Sequence, residues 1–323
     1  TRIAWGLACG IEASGLVNFE SALVRVDGEG NVTVLSGMTS QGQGQPTTYA
    51  QVCAEALGVA FERVQVRLGD TQLMPFGRGA FASRGAVFGA SAVHEAALAL
   101  RRKVLAAASV LLQSANTGLT LEKGSIKDAN GRETGLDIAA VARAVMPGGP
   151  LFEGEGALEA QHVFKAEQPL TYGLSVHVAQ VRLDLRTGFF TVQDYLVAHD
   201  AGRSLNPMIV RGQVVGGTVD GIGGALFSEV VYDSEGQLLT GTLADYLVAT
   251  APEVPRIRLA HMETRPGTNP LGVRGIGEAG TVPVAPAIAN ALARAIDPAR
   301  VGHEDALFTL PLKQERVYQA ILK

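Results

Sequence analysis

Near the end of the chain runs Gly272-Val273-Arg274-Gly275-Ile276-Gly277-Glu278-Ala279-Gly280-Thr281. Three glycines within its first six residues free the backbone to take conformations a Cβ forbids and to lie close against a ligand. A single carboxylate, Glu278, follows the third glycine, and Thr281-Val282-Pro283-Val284-Ala285-Pro286 then opens an Ala-rich helical stretch. This order predicts that Glu278 sits at a loop-to-helix junction, where a buried base can be held rigidly. Taken alone, the run reads first as a Gly-rich turn carrying a solvated or N-capping glutamate, because such glycine runs are common.

Three other stretches change that reading. Ser40-Gln41-Gly42-Gln43-Gly44 follows an alternating strand and precedes a helix. Its two amides donate and accept hydrogen bonds without carrying charge, which suits a pterin ring or a phosphate linker; an amide-rich turn satisfying its own backbone has the same composition. Phe81-Ala82-Ser83-Arg84 closes a Gly/Phe loop that begins at Pro75. A guanidinium there can grip a phosphate through two parallel bonds, or stand solvated at a helix start, where a cation without a partner is disfavoured by the helix dipole. Asp200-Ala201-Gly202 leads through Asn206-Pro207 to Gly212-Gln213, with Asp200 and Asn206 as turn and cap residues and a glycine-lined helix starting at Gly212.

Together and in this order, the four stretches resemble the molybdenum hydroxylases, the xanthine oxidase and aerobic carbon monoxide dehydrogenase family, over nearly the whole chain. The resemblance implies a molybdopterin cofactor carrying molybdenum, in the cytosine dinucleotide form suggested by the Gln41/Gln43 loop. It assigns Gln41, Gly42, Gln43, Gly44, Ala82, Ser83, Arg84, Gln213 and Gly277 to cofactor binding and Glu278 to catalysis as general base, with no protein ligand to the metal. Arg274 stands where the family often has lysine. The implied activity is hydroxylation of an electron-poor carbon, in an N-heterocycle or an aldehyde, with water as the oxygen source. The alternatives are a carbon monoxide dehydrogenase-like subunit and a non-catalytic cofactor cradle or assembly module. An intact Glu278 favours catalysis, since a scaffold needs no carboxylate there.

Composition sets outer bounds. The 323 residues are 47% hydrophobic and 18% charged, ample for a large core, and the 39 glycines are interleaved with strand-like and helical segments. A formal net charge of −4 without a long basic run argues against nucleic acid. No apolar stretch is long enough for a membrane span, and Thr1-Arg2-Ile3-Ala4-Trp5-Gly6 lacks the build of a signal peptide. The lack of an initiator Met points to a processed or incomplete start. Cys9 and Cys53 lie in apolar contexts and read as small core residues of a cytoplasmic protein, not as a disulfide or iron–sulfur motif.

Hairpin patterns alternate with helices. Ser21–Val26 and Val32–Leu35 flank an Asp/Gly turn; a helix from about Thr47 to Gly58, a strand at Val64–Thr71 and a long helix over Ala90–Leu112 follow. Tyr172–Asp184 and Phe189–Ala198 repeat the opening hairpin, followed again by a glycine loop and a helix, with His177 read as structural. The expected fold is α+β: two lobes of repeated strand–helix units, 1–160 and 161–323, with mixed sheets and helices on one face. The region from Gln113 to about Gln168, with a short helix near Ile138–Val145, reads as their connection. The family's cofactor lies between such lobes. The chain resembles the rear half of a split molybdenum subunit, with a small-molecule substrate and three expected partners: the N-terminal-half molybdopterin subunit, an iron–sulfur subunit and an FAD subunit.

Overall fold

The computed structural model describes residues 1–16, 19–74, 76–114, 118–153, 157–166, 171–297 and 307–322. Pro75, the expected linker residues 115–117, 154–156 and 167–168, and Pro298-Ala299-Arg300 of the expected tail lie outside the described residues.

Strand β1 (Arg2–Ser14) is followed by the hairpin β2 (Phe19–Val26) and β3 (Val32–Ser36). Asp27 closes the turn: its carboxylate accepts from the backbone N–H groups of Glu29 and Asn31, and Gly30 takes φ +81°. Helix α1 (Gln45–Leu57) begins after left-handed Gly44 and ends at left-handed Gly58, as the glycine placement predicts. β4 (Val64–Leu68) then pairs parallel to β3. A π-helical turn over Gly85–Ala90 leads into α2 (Ser91–Leu111), whose Val93, Ala96, Ala97, Leu100 and Val104 repeat at helical spacing and are buried. The expected connection proves to be structured. β5 (Thr120–Glu122), β6 (Ser125–Lys127) and β7 (Glu133–Asp137) form a small antiparallel sheet, and α3 (Ile138–Val145) is capped by Asp137. β8 (Leu158–Lys165) pairs antiparallel with β2.

The second hairpin is β9 (Thr171–Leu183) and β10 (Phe190–Asp200), with a bulge at Val192/Asp194. Helix α4 (Pro207–Leu226) follows. It starts at Pro207, not Gly212, because Asn206 accepts from the Ile209 N–H and proline pre-sets the first turn. β11 (Arg256–Met262) pairs parallel with β10, and α5 (Val284–Ile296) and α6 (Gln314–Leu322) complete the described elements. Around Asp233–Gln237 a turn is closed by one bridge, Tyr232 to Leu238. Among the described residues, no helix is long and apolar enough to cross a membrane.

The two four-stranded sheets have orders β4-β3-β2-β8 and β11-β10-β9-β1, so the repeat legible in the sequence is a repeat of topology. The strand preceding each hairpin joins the other hairpin's sheet. Hence the compact units do not follow one cut at 160/161: the first unit comprises Ser14–Thr171 and Arg265–Gly275, the second Thr1–Ala13, Tyr172–Thr264 and Ile276–Lys323.

In the first unit Arg84 is wholly buried and ion-paired to Glu20 at 2.7 Å. Its guanidinium also donates to the carbonyls of Leu16, Gly79 and Phe19, and the rings of Phe81 and Phe88 lie against it. These donors are spent inside the protein, which corrects the expectation that this side chain grips a phosphate. Cys53 is a core residue, its thiol pushed up to about 12 by burial, whereas Cys9 is exposed on β1 and is not the core residue expected. In the second unit the helix-facing side of the sheet packs Val181, Tyr195 and Val197 against Val214, Ile288 and Leu292. His177 is fully buried in this layer, and burial pushes its imidazole from 6.5 down to about 4. His199 is also held near 4, first by burial and then by neighbouring His261, with Asp200 opposing.

Two stability measurements test this core. Arg84→Lys cannot reach all four acceptors and leaves part of a buried carboxylate pair unsatisfied; it should cost about 3 kcal/mol. The same change at Arg25, whose pair with Glu159 is solvent-exposed, should cost under about 1 kcal/mol in the same urea titration. For the histidines, the unfolded chain takes up protons below pH about 6.5 that the folded chain refuses until about pH 4. Unfolding free energy should therefore be fully present above pH 6.5 and fall as the pH drops towards 4, by at most about 3 kcal/mol per histidine. His177→Gln should flatten that slope, and an unchanged slope would contradict the burial of this ring.

Candidate functional site

In the first unit, β3 runs into the Gln41–Gly44 loop. Gln41 donates its backbone N–H to Gln43 Oε1 at 2.6 Å, and Gln43 Nε2 donates to Gln41 Oε1 at 2.7 Å. The two amides thus brace each other across Gly42, which has φ +99° and open space where a Cβ would point. Gln41 is exposed and Gln43 half-buried; both N–H bonds of each amide go to protein acceptors, so what each keeps for a ligand is a second lone pair on its carbonyl oxygen. No side chain caps α1 at Gly44, and since Pro46 carries no N–H, the first turn presents the N–H groups of Gln45 and Thr47 at the helix start.

Gln41 Nε2 also reaches the Ala80 carbonyl at 3.3 Å, which brings this loop to the Ala82–Ser83 turn. Ala82 and Ser83 have φ +45° and +48°, two successive left-handed residues that each cost roughly 1–2 kcal/mol. They are fixed from both sides: Gly15 N–H donates to the Ala82 carbonyl at 3.0 Å, and Gly275 packs its bare Cα onto Ser83. Such strain persists only where its surroundings over-determine it. This unit therefore gathers Gln41, Gly42, Gln43, Gly44, Ala82 and Ser83, with Arg84 as the buried post beneath the turn.

The remaining predicted residues, Gln213, Gly277 and Glu278, belong to the second unit. Gln213 is half-buried in the second turn of α4. Beside it, a Cβ on Gly280 would overlap the Val214 carbonyl, and Thr281 Oγ1 donates to the Gly217 carbonyl at 3.0 Å. The glycines of α4 thus seat the loop that carries Glu278. The Glu278 backbone is fastened three ways. Its N–H donates to Glu12 at 3.2 Å, its carbonyl accepts from Thr281 and Val282, and the adjoining Ala279 carbonyl meets His177 Nε2 at 2.9 Å. His177 Nδ1 in turn lies 3.0 Å from the Tyr195 hydroxyl. With neutral His177, Nε2–H donates to Ala279 and Nδ1 accepts from Tyr195.

The Glu278 side chain is exposed, contrary to the expected buried base, because Ala279 and Gly280 take the buried places against α4. His177, Tyr195 and Glu12 are supports the sequence reading missed as such. For His177 the one available sign was a polar residue at an inward-facing strand position; Glu12 had none. Asp200 shapes its loop as expected, accepting from the N–H groups of Gly202 and Thr264.

Residues 1–255 match the family described as molybdopterin cofactor-binding domain. The chain is 36% identical over 303 residues to the nicotine 6-hydroxylase large subunit of Paenarthrobacter nicotinovorans, covering 93% of this chain and 36% of that protein. It is 34% identical to subunit gamma of the 6-hydroxypseudooxynicotine dehydrogenase complex of the same organism, covering 98% of this chain and 39% of that one. Among solved structures, quinoline 2-oxidoreductase from Pseudomonas putida 86 superposes with a TM-score of 0.87 at 33% identity, over 100% of this chain and 42% of that chain. The chain thus spans well under half the length of these relatives. A braced amide loop, an over-determined left-handed turn and a glycine-seated glutamate accompany a match over most of the sequence: the chain belongs to the molybdopterin cofactor-binding domain family.

Proposed function

We propose that this chain is the catalytic, cofactor-holding part of a molybdenum hydroxylase that oxidises an electron-poor carbon of an N-heterocycle or aldehyde. The observation that carries the reading is Glu278: its backbone is locked on both sides while its carboxylate is left exposed. A glutamate that merely capped the helix would turn its oxygens back onto the first-turn N–H groups. The N-heterocycles in the names of the nicotine and quinoline relatives support the substrate class.

The residues present fit a pterin. Gln41 and Gln43 brace each other through mutual hydrogen bonds, and the empty direction at Gly42 leaves room for a flat ring system to approach the backbone. The uncapped start of α1 offers its N–H groups to a phosphate linker, consistent with a cytosine dinucleotide form. Gln213 contributes a further uncharged amide from α4. Arg84 acts from below, holding the Ala82–Ser83 turn in shape. When bound, the molybdenum–pterin group takes up the electrons of substrate oxidation and supplies oxygen drawn from water. Glu278 accepts the proton released at the attacking oxygen, the step for which a positioned carboxylate contributes roughly 10²–10⁴-fold. The rest of the molybdenum subunit, an iron–sulfur subunit and an FAD subunit complete the assembly and carry electrons onward, in the cytoplasm.

Two substitutions separate catalysis from binding in the assembled enzyme. Glu278→Gln keeps shape and reach but cannot take the proton. Molybdenum and pterin contents should stay at the native level while reduction of the metal by substrate slows at least ~10²-fold. Reduction at the native rate would remove Glu278 from the chemistry. Gln213→Ala should lower cofactor occupancy, with a loss of about 1–3 kcal/mol per unsatisfied bond, and leave the thermal unfolding midpoint of the cofactor-free chain unchanged. Full occupancy would reduce Gln213 to an ordinary helix residue.

A further inference from the structure

Among the described residues, α4, α5 and α6 pack on one face of the sheet β1-β9-β10-β11. On β1 the even positions point to the helices: a Cβ on Gly6 would overlap the Ala287 carbonyl in α5, and Ala8 is in the core. The odd positions form the other face, and Ile3, Trp5, Leu7, Cys9 and Ile11 are all exposed there, Ile11 at 71% and Leu7 at 54%. The apolar character continues across the sheet through Tyr172, Leu174, Val176 and Val178 of β9, then Leu196 and Ala198 of β10, to Met262 on β11. Register places Val178 opposite Leu196 and Val176 opposite Ala198, so these side chains adjoin. Charges lie at the two ends of this face: Arg182, Arg256 and the Asp194–Arg258 ion pair at one, and at the other Asp200, whose carboxylate accepts from the N–H groups of Gly202 and Thr264. A sheet open to water on one side usually alternates apolar-in with polar-out, and this mixed sheet is apolar on both sides. A continuous patch of this kind, rimmed by charge, marks an interaction surface.

We infer that this open face is the seat of the remaining portion of the molybdenum subunit, through a layer whose own apolar side lies on β1 and β9. The occupant follows from length: the chain accounts for 36–42% of each relative described above, so each carries more than as much chain again outside the matched region. An apolar sheet face buried on both sides is what a strand of a larger α/β body presents. The inference rests on the proposed function, since it takes the chain for part of such a subunit.

Cys9 reports on this face from within it, and buried Cys53 is the control that stays unreactive. In the complex purified from its natural source, Cys9 should resist maleimide at least tenfold more than in the chain expressed alone. A photo-crosslinking amino acid at Ile11 should join, by peptide mapping, to sequence corresponding to the relatives' unmatched region. Leu7→Glu should abolish co-purification of that region, whereas Val110→Glu, exposed on α2, should not. A crosslink to a second copy of this chain, or Cys9 equally reactive in both states, would overturn the inference. Molybdenum measured in the same preparation separates the failures: metal present with Cys9 open rejects only the docking face, and metal absent rejects the proposed function.

Discussion

A methyl group at position 275 would collide with the Ser83 carbonyl, and one at position 280 would collide with the carbonyl of Val214. The first contact closes the strained turn of one unit, and the second seats the loop that carries Glu278 in the other. The chain passes from one compact unit to the other between Gly275 and Ile276, so the same short run completes the first unit's strained turn and the second unit's glutamate loop. Overpacking such positions costs roughly 1–3 kcal/mol or more, because the neighbour that must yield is main chain rather than a flexible side chain. The glycines are therefore an architectural requirement first, and the glutamate between them is left exposed.

Polar groups divide along the same lines. Arg84, Glu20, His177 and Tyr195 are turned inward and saturated by protein partners: the first pair beneath the Ala82–Ser83 turn, the second behind Ala279. Buried groups so paired hold geometry, because breaking one partner strands the other in a medium that solvates it poorly. Gln41 and Gln43 keep one carbonyl lone pair each for a ligand, and the Glu278 side chain is exposed. Burial thus separates residues that shape the site from residues that can touch a ligand.

Much of this was legible in the sequence, and the exceptions share one cause. The hairpins β2–β3 and β9–β10 showed themselves through period-two alternation around Asp/Gly turns, α1 through Gly58, and α3 through its apolar spacing. Those are local signals. The exchange of β1 and β8 between sheets was not legible, because a strand's pattern states which face is buried and not which strand it pairs with. β5 to β7 were too short to show a period. Arg84 was misread in role because its partner, Glu20, is 64 residues away. The exposure of Glu278 was hidden for the same reason: burial depends on what else packs there.

The claim on which the account turns is that these loops exist to hold a molybdenum–pterin group. Metal and pterin analysis of the complex purified from its natural source tests it most directly. The account predicts one molybdenum and one pterin for each copy of this chain, with a cytosine nucleotide released on hydrolysis. A complex active in substrate oxidation that contains neither molybdenum nor pterin would contradict it.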